Sequence, residues 1–449
     1  MTGLNRRTLH ALLNTARRRA RWLLRAPRVR GAVPPMFPGA LRMDDTEEEA
    51  AVAAVREVMR SKKLFRYYSP SRHPFQGSRV RALERAFAQH LGVPHALAVN
   101  SGTSALVCGL AALGIGPGDE VIVPAYTWVS SASAVLAVGA VPIVAEVDDS
   151  LTLDPEDVRR RISPCTRAIM AVHIRGAPAR LDVLAALCRE HELLLIEDVA
   201  QALGGTFGGR RLGTLGDIGA YSFQMSKILT AGEGGLVVTA DRDRHLRAAM
   251  YHDSAVCPHM GVPMADWLAG VNLRMSELHA AILLVQLTRL EQILADMRER
   301  KARVKEIIGE PLERRGLKLR TVHDAAGDTA TAVIFFAPDA RRAERIVSAL
   351  GDENVPASRL YLDLAYLPHD HVDLHALPAW TPILQQRSWS RSGEPWRSHP
   401  RPVAQEARPC PATVDLLRRA VHIDVSPDLA LQQADAIGAA VVAVVERFC

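Results

Sequence analysis

Between Asp44 and about residue 310, short apolar runs alternate with longer helical stretches, and this alternation restricts the possible folds more than any other feature. The runs are VIVP (121–124), PIVAEV (142–147), RAIMAVH (167–173), LLLIE (193–197), IGAYSF (218–223) and GLVVT (235–239). Helical patterns such as 103–113 and 179–191 separate several of them. Runs that are apolar throughout suit strands covered on both faces, and helical connections join such strands in parallel. The expected fold class is therefore α/β, a mostly parallel sheet in an α/β/α sandwich. At 449 residues the chain exceeds one ordinary domain. The rhythm changes near 311, where VIFF (333–336) reads as a strand and 340–350 as a helix. A large domain over 44–310 and a smaller α+β domain over 311–449 are expected. Residues 276–300 read as one long amphipathic helix, with Leu278, Ile282, Val285, Ile293 and Met297 along its buried stripe. Residues 376–412, rich in Pro, Arg and Trp (Trp380, Trp389, Trp396), read as an irregular insertion forming a surface or interface loop.

Charge is unevenly placed. The formal net charge is +6, yet residues 1–43 hold ten arginines and no acidic residue. The remainder carries 45 basic against 49 acidic side chains. Residues 1–43 are thus expected to be a basic, poorly ordered extension, and nucleic-acid binding is not inferred from it. Arg6 and Arg7 are not expected to open an export signal, because Arg17–Arg19 and Arg21 interrupt the following apolar segment. No run of about 18 uncharged apolar residues is present, so no membrane span is expected. Six cysteines without a C-x-x-C pair point to reduced thiols in a cytoplasmic protein. Cys257 and His259 lack a second ligand pair, and no metal is expected.

One lysine stands out. Lys227 is the sole lysine between positions 64 and 300 in a chain that otherwise uses arginine. A guanidinium stays protonated, whereas a lysine amine can lose its proton and attack a carbonyl. An ordinary surface charge is the alternative. Four other features accompany it. Asn100-Ser101-Gly102-Thr103-Ser104 opens a helix, offering N–H groups and hydroxyls to a phosphate or merely capping the helix. Glu197 and Asp198 end the strand 193–197, with Gln201 beyond, at the carboxyl end of a parallel strand where ligands bind; a helix N-cap or a metal-holding carboxylate is the alternative. Ser222 ends the next strand, and Trp128 follows VIVP, placed either to stack on a planar ring or to fill the core. The glycines of 204–219 form neither a Walker A loop nor a dinucleotide fingerprint; they read as tight turns.

These segments, NSGTSAL (100–106), GPGDEVIVPAYTW (116–128), IEDVAQALGG (196–205), GDIGAYSFQMSKILTAGEGG (216–235) and GVNLRMSELHAA (270–281), resemble the DegT/StrS-type family of pyridoxal-phosphate-dependent aminotransferases. The resemblance spans about 45–310 and returns at 417–428. It implies the PLP-dependent transferase fold type I and pyridoxal 5′-phosphate as cofactor. It also implies transfer of an amino group from glutamate or glutamine to a keto-sugar, often nucleotide-linked, or a keto-cyclitol. By the same resemblance Lys227 holds the cofactor covalently, Asp198 partners the pyridine nitrogen and Gln201 lies beside the ring hydroxyl. Gly102, Thr103, Ser104 and Ser222 match the phosphate site, and Trp128 the stacking aromatic. Asn272 matches a residue that reaches the phosphate of a neighbouring subunit, implying a homodimer with shared sites. Two positions depart from the family pattern: Arg175, where an aromatic residue is common, and Arg180, where an acidic one is frequent. Both are expected near the substrate side. Dehydration or lyase chemistry on the same cofactor, and a non-catalytic regulatory role, are the competing readings. The dehydrating relatives usually carry histidine in place of the lysine.

Overall fold

A computed structural model describes residues 29, 33–34, 43–67, 77–253, 257–361, 374–387, 390–403 and 409–448. Most of the basic extension and Trp389 lie outside the described residues, as does the side chain of Cys257.

The seven-stranded sheet comprises β1 (His95–Val99), β2 (Glu120–Pro124), β3 (Val141–Ala145), β4 (Thr166–Val172), β5 (Leu194–Asp198), β8 (Ile218–Ser222) and β9 (Gly235–Thr239), with the short hairpin β6 (Thr206–Phe207) and β7 (Arg210–Arg211) inserted between β5 and β8. Its order is β1-β9-β8-β5-β4-β2-β3. Only β9 runs against its neighbours, pairing antiparallel with both β1 and β8. The expected α/β class and mostly parallel sheet are found. Sequence reasoning missed β1, whose HALAV follows a helix within four residues and carries no turn signal of its own. Helices cover both faces, and the apolar side chains of β2, β4, β5, β8 and β9 divide between two buried clusters, one on each side.

A second sheet, ordered β10-β11-β13-β12, is antiparallel throughout: β10 (Lys318–Leu319), β11 (Ala332–Phe336), β12 (Ala357–Arg359) and β13 (Ala420–Asp424). It connects to the large sheet through the helix Leu290–Arg314, against which Leu431–Phe448 packs. Gly438 permits the close approach, since a Cβ there would stand 2.9 Å from Ile307 Cβ.

Two expectations need correction. The helix read over 276–300 is two helices, Glu277–Leu287 and Leu290–Arg314, bent by 55°. At the break Thr288 Oγ1 donates to the Val285 carbonyl at 2.7 Å, a local bond that competes with the helical ladder. The bend turns the stripe. Ile293 and Met297 are buried as expected, while Leu278, Ile282 and Val285 are only half-buried. The insertion is also less peripheral than expected, because Leu377, Trp380 and Ile383 are core residues. Further along it, Arg401 donates to the buried Glu120 at 2.8 Å, anchoring the segment at the start of β2. Cys165 and His399 lie close to Glu120 as well, but its carboxylate is already held by Arg401 and the hydroxyls of Ser163 and Thr166.

Glu197 faces away from Asp198 and organises the loop before β8. It accepts the N–H groups of Gly213, Leu215 and Gly216 at 2.7, 2.7 and 2.6 Å, and His173 Nε2 lies 3.2 Å away. With the charge removed, these buried donors lose their strongest acceptor. Glu197→Gln is expected to cost at least about 3 kcal/mol in chemical denaturation.

Candidate active site

The C-terminal ends of β1, β8, β5, β4 and β2 open on one cavity of about 580 Å³. Strand order alone determines which residues meet there. Ser101–Thr103 follow β1, Ser222 ends β8, Asp198 ends β5, Arg175 follows β4, and Thr127 and Trp128 follow β2. Lys227 enters from the loop between β8 and β9.

That loop is shaped by short-range bonds. Phe223 N–H donates to the Gly234 carbonyl at 2.8 Å and Met225 N–H to that of Gly232 at 3.0 Å. Gly232 (φ 84°) and Gly234 (φ 147°) take the positive dihedrals the return into β9 requires. Among the described residues, no hydrogen bond or ion pair occupies the Lys227 amine. Burial pushes its pKa below the usual lysine range; Asp198 opposes that shift and Arg175 adds to it.

Asp198 is buried. Its Oδ2 accepts from Ser131 Oγ at 2.9 Å and its Oδ1 from Ala200 N–H at 3.1 Å. Burial pushes the carboxyl pKa up, against the pull of those two bonds and of the Lys227 charge. A buried carboxylate and a half-buried amine, each shifted toward neutrality, are a combination found at sites built to receive a third charged group.

At the other end of the cavity the helix Gly102–Ala112 begins, capped by Ser101 Oγ accepting from Ser104 N–H at 3.1 Å. Gly102 lies so close to β8 that a Cβ would stand 2.6 Å from Ser222 Cβ. Free N–H groups of the first helical turn thus lie beside the Ser222 hydroxyl, an arrangement suited to an anion. Ser104 does not line the cavity. It is buried behind the turn, donating to Asn100 Oδ1 at 2.6 Å.

Gln201 Oε1 accepts from Arg175 N–H at 3.0 Å, and its Nε2 lies 3.0 Å from His375 Nε2. Trp128 is 43% exposed, and its ring meets that of His375 edge-on at 5.1 Å. Arg175 lines the cavity as expected, whereas Arg180 pairs with Asp182 outside it. Asn272 is exposed and stands away from the cavity of its own chain. Sequence reasoning missed Ser131, Glu233 and His375. His375 arrives because 374–377 pairs with 125–129: Thr127 N–H donates to the His375 carbonyl at 3.0 Å. A single histidine before an irregular segment gives no signal for such a long-range pairing.

The profile of the DegT/DnrJ/EryC1/StrS aminotransferase family matches residues 46–376. The L-glutamine:2-deoxy-scyllo-inosose aminotransferase of Streptomyces kanamyceticus is 44% identical over 233 residues, 49% of this chain and 55% of that protein. The GDP-perosamine synthase of Caulobacter vibrioides is 41% identical over 222 residues, 49% and 59% of the two chains. The chain spans little more than half the length of these curated relatives. Among solved structures, 3-amino-5-hydroxybenzoic acid synthase superposes with a TM-score of 0.73 at 29% identity, covering 93% of this chain and all of the other. DesV from S. venezuelae gives 0.70 at 29%, with the same coverage.

Proposed function

This chain belongs to the DegT/DnrJ/EryC1/StrS aminotransferase family, and from that premise we propose that it moves an amino group from glutamine or glutamate to a keto-sugar or keto-cyclitol, using pyridoxal 5′-phosphate. The single observation that carries the reading is the unengaged, pKa-lowered Lys227 amine in one cavity with the buried Asp198 carboxylate.

The residues fit the cofactor on three counts. Among the described residues the amine has no hydrogen bond or ion pair and the buried carboxylate has no ion pair within contact distance, and the Gly102–Ser222 approach leaves a cradle that a Cβ would fill. Pyridoxal phosphate supplies an aldehyde that joins covalently to amines and a protonated ring that takes up the electron pair released at carbon. Lys227 would hold the group covalently through its amine and, with that amine free, would take the proton from the donor α-carbon. Asp198 keeps the ring nitrogen protonated, with Ser131 and the Ala200 N–H fixing its orientation. Helix N–H groups from Gly102 onward, with Thr103 and Ser222, hold the phosphate. Gln201 and Trp128, which line the same cavity, would border the ring. Ser104 supports the turn rather than touching the group.

Gly102→Ala drives a methyl group into Ser222. It is expected to weaken cofactor affinity by about 10–100-fold, read by titrating cofactor absorbance into the cofactor-free protein.

A homodimer is part of this reading. Met264, Trp267, Leu268 and Val271 are exposed beside Asn272, and a second copy covering them would bring Asn272 toward a partner's cavity. Sedimentation at twice the 49.0 kDa chain mass checks it. A cytoplasmic setting is supported by the free cysteines Cys108, Cys165, Cys188 and Cys410. Among the described residues no single helix is long and apolar enough to cross a membrane.

The test is the donor half-reaction. Glutamine or glutamate added to the holoenzyme should shift the cofactor absorbance to that of its amine form, and a keto-cyclitol or keto-sugar should shift it back. Absorbance unmoved by every amino acid sinks the proposal.

A further inference from the structure

Arg175 has φ 50° and ψ 41°, a left-handed backbone that residues other than glycine adopt rarely. Such strain persists only where neighbours impose it, and it gathers at functional sites. Here the clamp comes from the small sheet. Buried Arg320, just past β10, donates to the Ile174 carbonyl at 2.8 Å and the Ser150 carbonyl at 2.6 Å. Thr329 N–H donates to the Gly176 carbonyl at 3.1 Å. Gly176 packs so tightly that a Cβ would stand 2.4 Å from Thr329 Oγ1. On the other side the Arg175 N–H is held by Gln201. Arg320 is a positioning residue: it fixes the turn that presents Arg175.

The side chain lines the cavity that holds Lys227, and Arg175 Nε donates to the Tyr126 hydroxyl at 3.2 Å. Its place along the sheet edge tells what it faces. Gly102, Thr103 and Ser222 follow β1 and β8, Asp198 ends β5, and Arg175 follows β4. Two strand spacings separate β4 from β8, about 10 Å, with Asp198 between them. The anion met by Arg175 is therefore not the one cradled at the helix N-terminus.

We propose that Arg175 receives the carboxylate of the amino donor and so fixes the donor α-carbon within reach of the Lys227 amine. This rests on the aminotransferase reading. A planar guanidinium matches a carboxylate through paired hydrogen bonds, which a point cation does not reproduce. With Tyr126 holding Nε, the guanidinium plane is oriented before the donor arrives.

The experiment follows the donor half-reaction of the holoenzyme by cofactor absorbance. Glutamine, glutamate and alanine are compared with the amino alcohols that lack only the carboxylate. In Arg175→Gln the half-saturating concentration of the amino acids should rise about 30–100-fold, while that of the alcohols moves less than about threefold. Arg175→Lys should recover part of the loss. Arg175→Gly, which suits the left-handed backbone, should keep the melting temperature yet lose the preference for amino acids over alcohols. Unchanged amino-acid saturation in the Gln and Gly variants overturns the proposal while leaving the aminotransferase reading intact. A defect confined to the KM of an anionic acceptor also overturns it, by moving the arginine's anion to the acceptor. A wild-type enzyme that responds to no amine overturns both.

Discussion

Lys227→Ala should lower kcat by at least ~10⁴-fold, because in the proposed function one side chain both holds the cofactor and moves the proton. The variant should fold, since among the described residues the amine makes no hydrogen bond that the fold requires. Lys227→Met sharpens the point through stability. Burial lowers the folded pKa of this amine below its unfolded value. Between the two values the unfolded chain binds more protons, so stability rises with pH across that window. Below it the folded protein bears the cost of a partly desolvated charge. Removing the charge should make the cofactor-free Met variant melt above the wild type at neutral pH, with the margin shrinking as pH rises toward the usual lysine range. A destabilised but active Met variant would contradict both halves of the argument. The pH profile of covalent cofactor capture by the wild type should likewise rise with pH and level off below the ordinary lysine range.

The second large effect lies at Asp198. Asp198→Asn keeps one oxygen for the Ala200 N–H and sets its amide NH2 against the Ser131 hydroxyl, which can accept, but it removes the charge that in the proposed function keeps the ring nitrogen protonated. Loss of about 10²–10³ in kcat is expected, with the cofactor still bound. The Asp198 charge also supports protonation of Lys227, so the amine should titrate lower still in this variant. Stability should not suffer. The folded carboxyl has a raised pKa, so its contribution falls as pH rises through that value, and replacing it relieves the cost of a buried charge above it. Thermal melting of the cofactor-free variant at neutral pH, at or above wild type, together with the kcat loss, would separate a chemical role from a structural one.

Much of this was legible in the sequence, and the gaps have physical causes. Strands β2 to β5, β8 and β9 announce themselves because burial on both faces leaves no polar alternation to confuse with a helix. That Asp198, Ser222 and Thr103 line one cavity was legible because in a parallel sheet the C-terminal strand ends are brought together by topology itself. Chain position and element order thus serve as a partial map. The break at Thr288 was not legible, because Leu278 to Met297 keep a helical period across the bend. Ser104 was misplaced for a similar reason. In a run of small hydroxyl residues, the sequence does not say which one faces the ligand and which one ties the turn. His375, Ser131 and the role of Arg320 depend on contacts across 40 or more residues, and no local pattern encodes those.

The central claim is that Lys227 holds the cofactor in this cavity. Reducing the holoenzyme with borohydride and mapping its peptides by mass spectrometry tests it most directly. The account predicts loss of the visible absorbance and one phosphopyridoxyl group on the peptide containing Lys227. The same added mass on another lysine, such as the buried Lys301, with Lys227 unmodified, would contradict it.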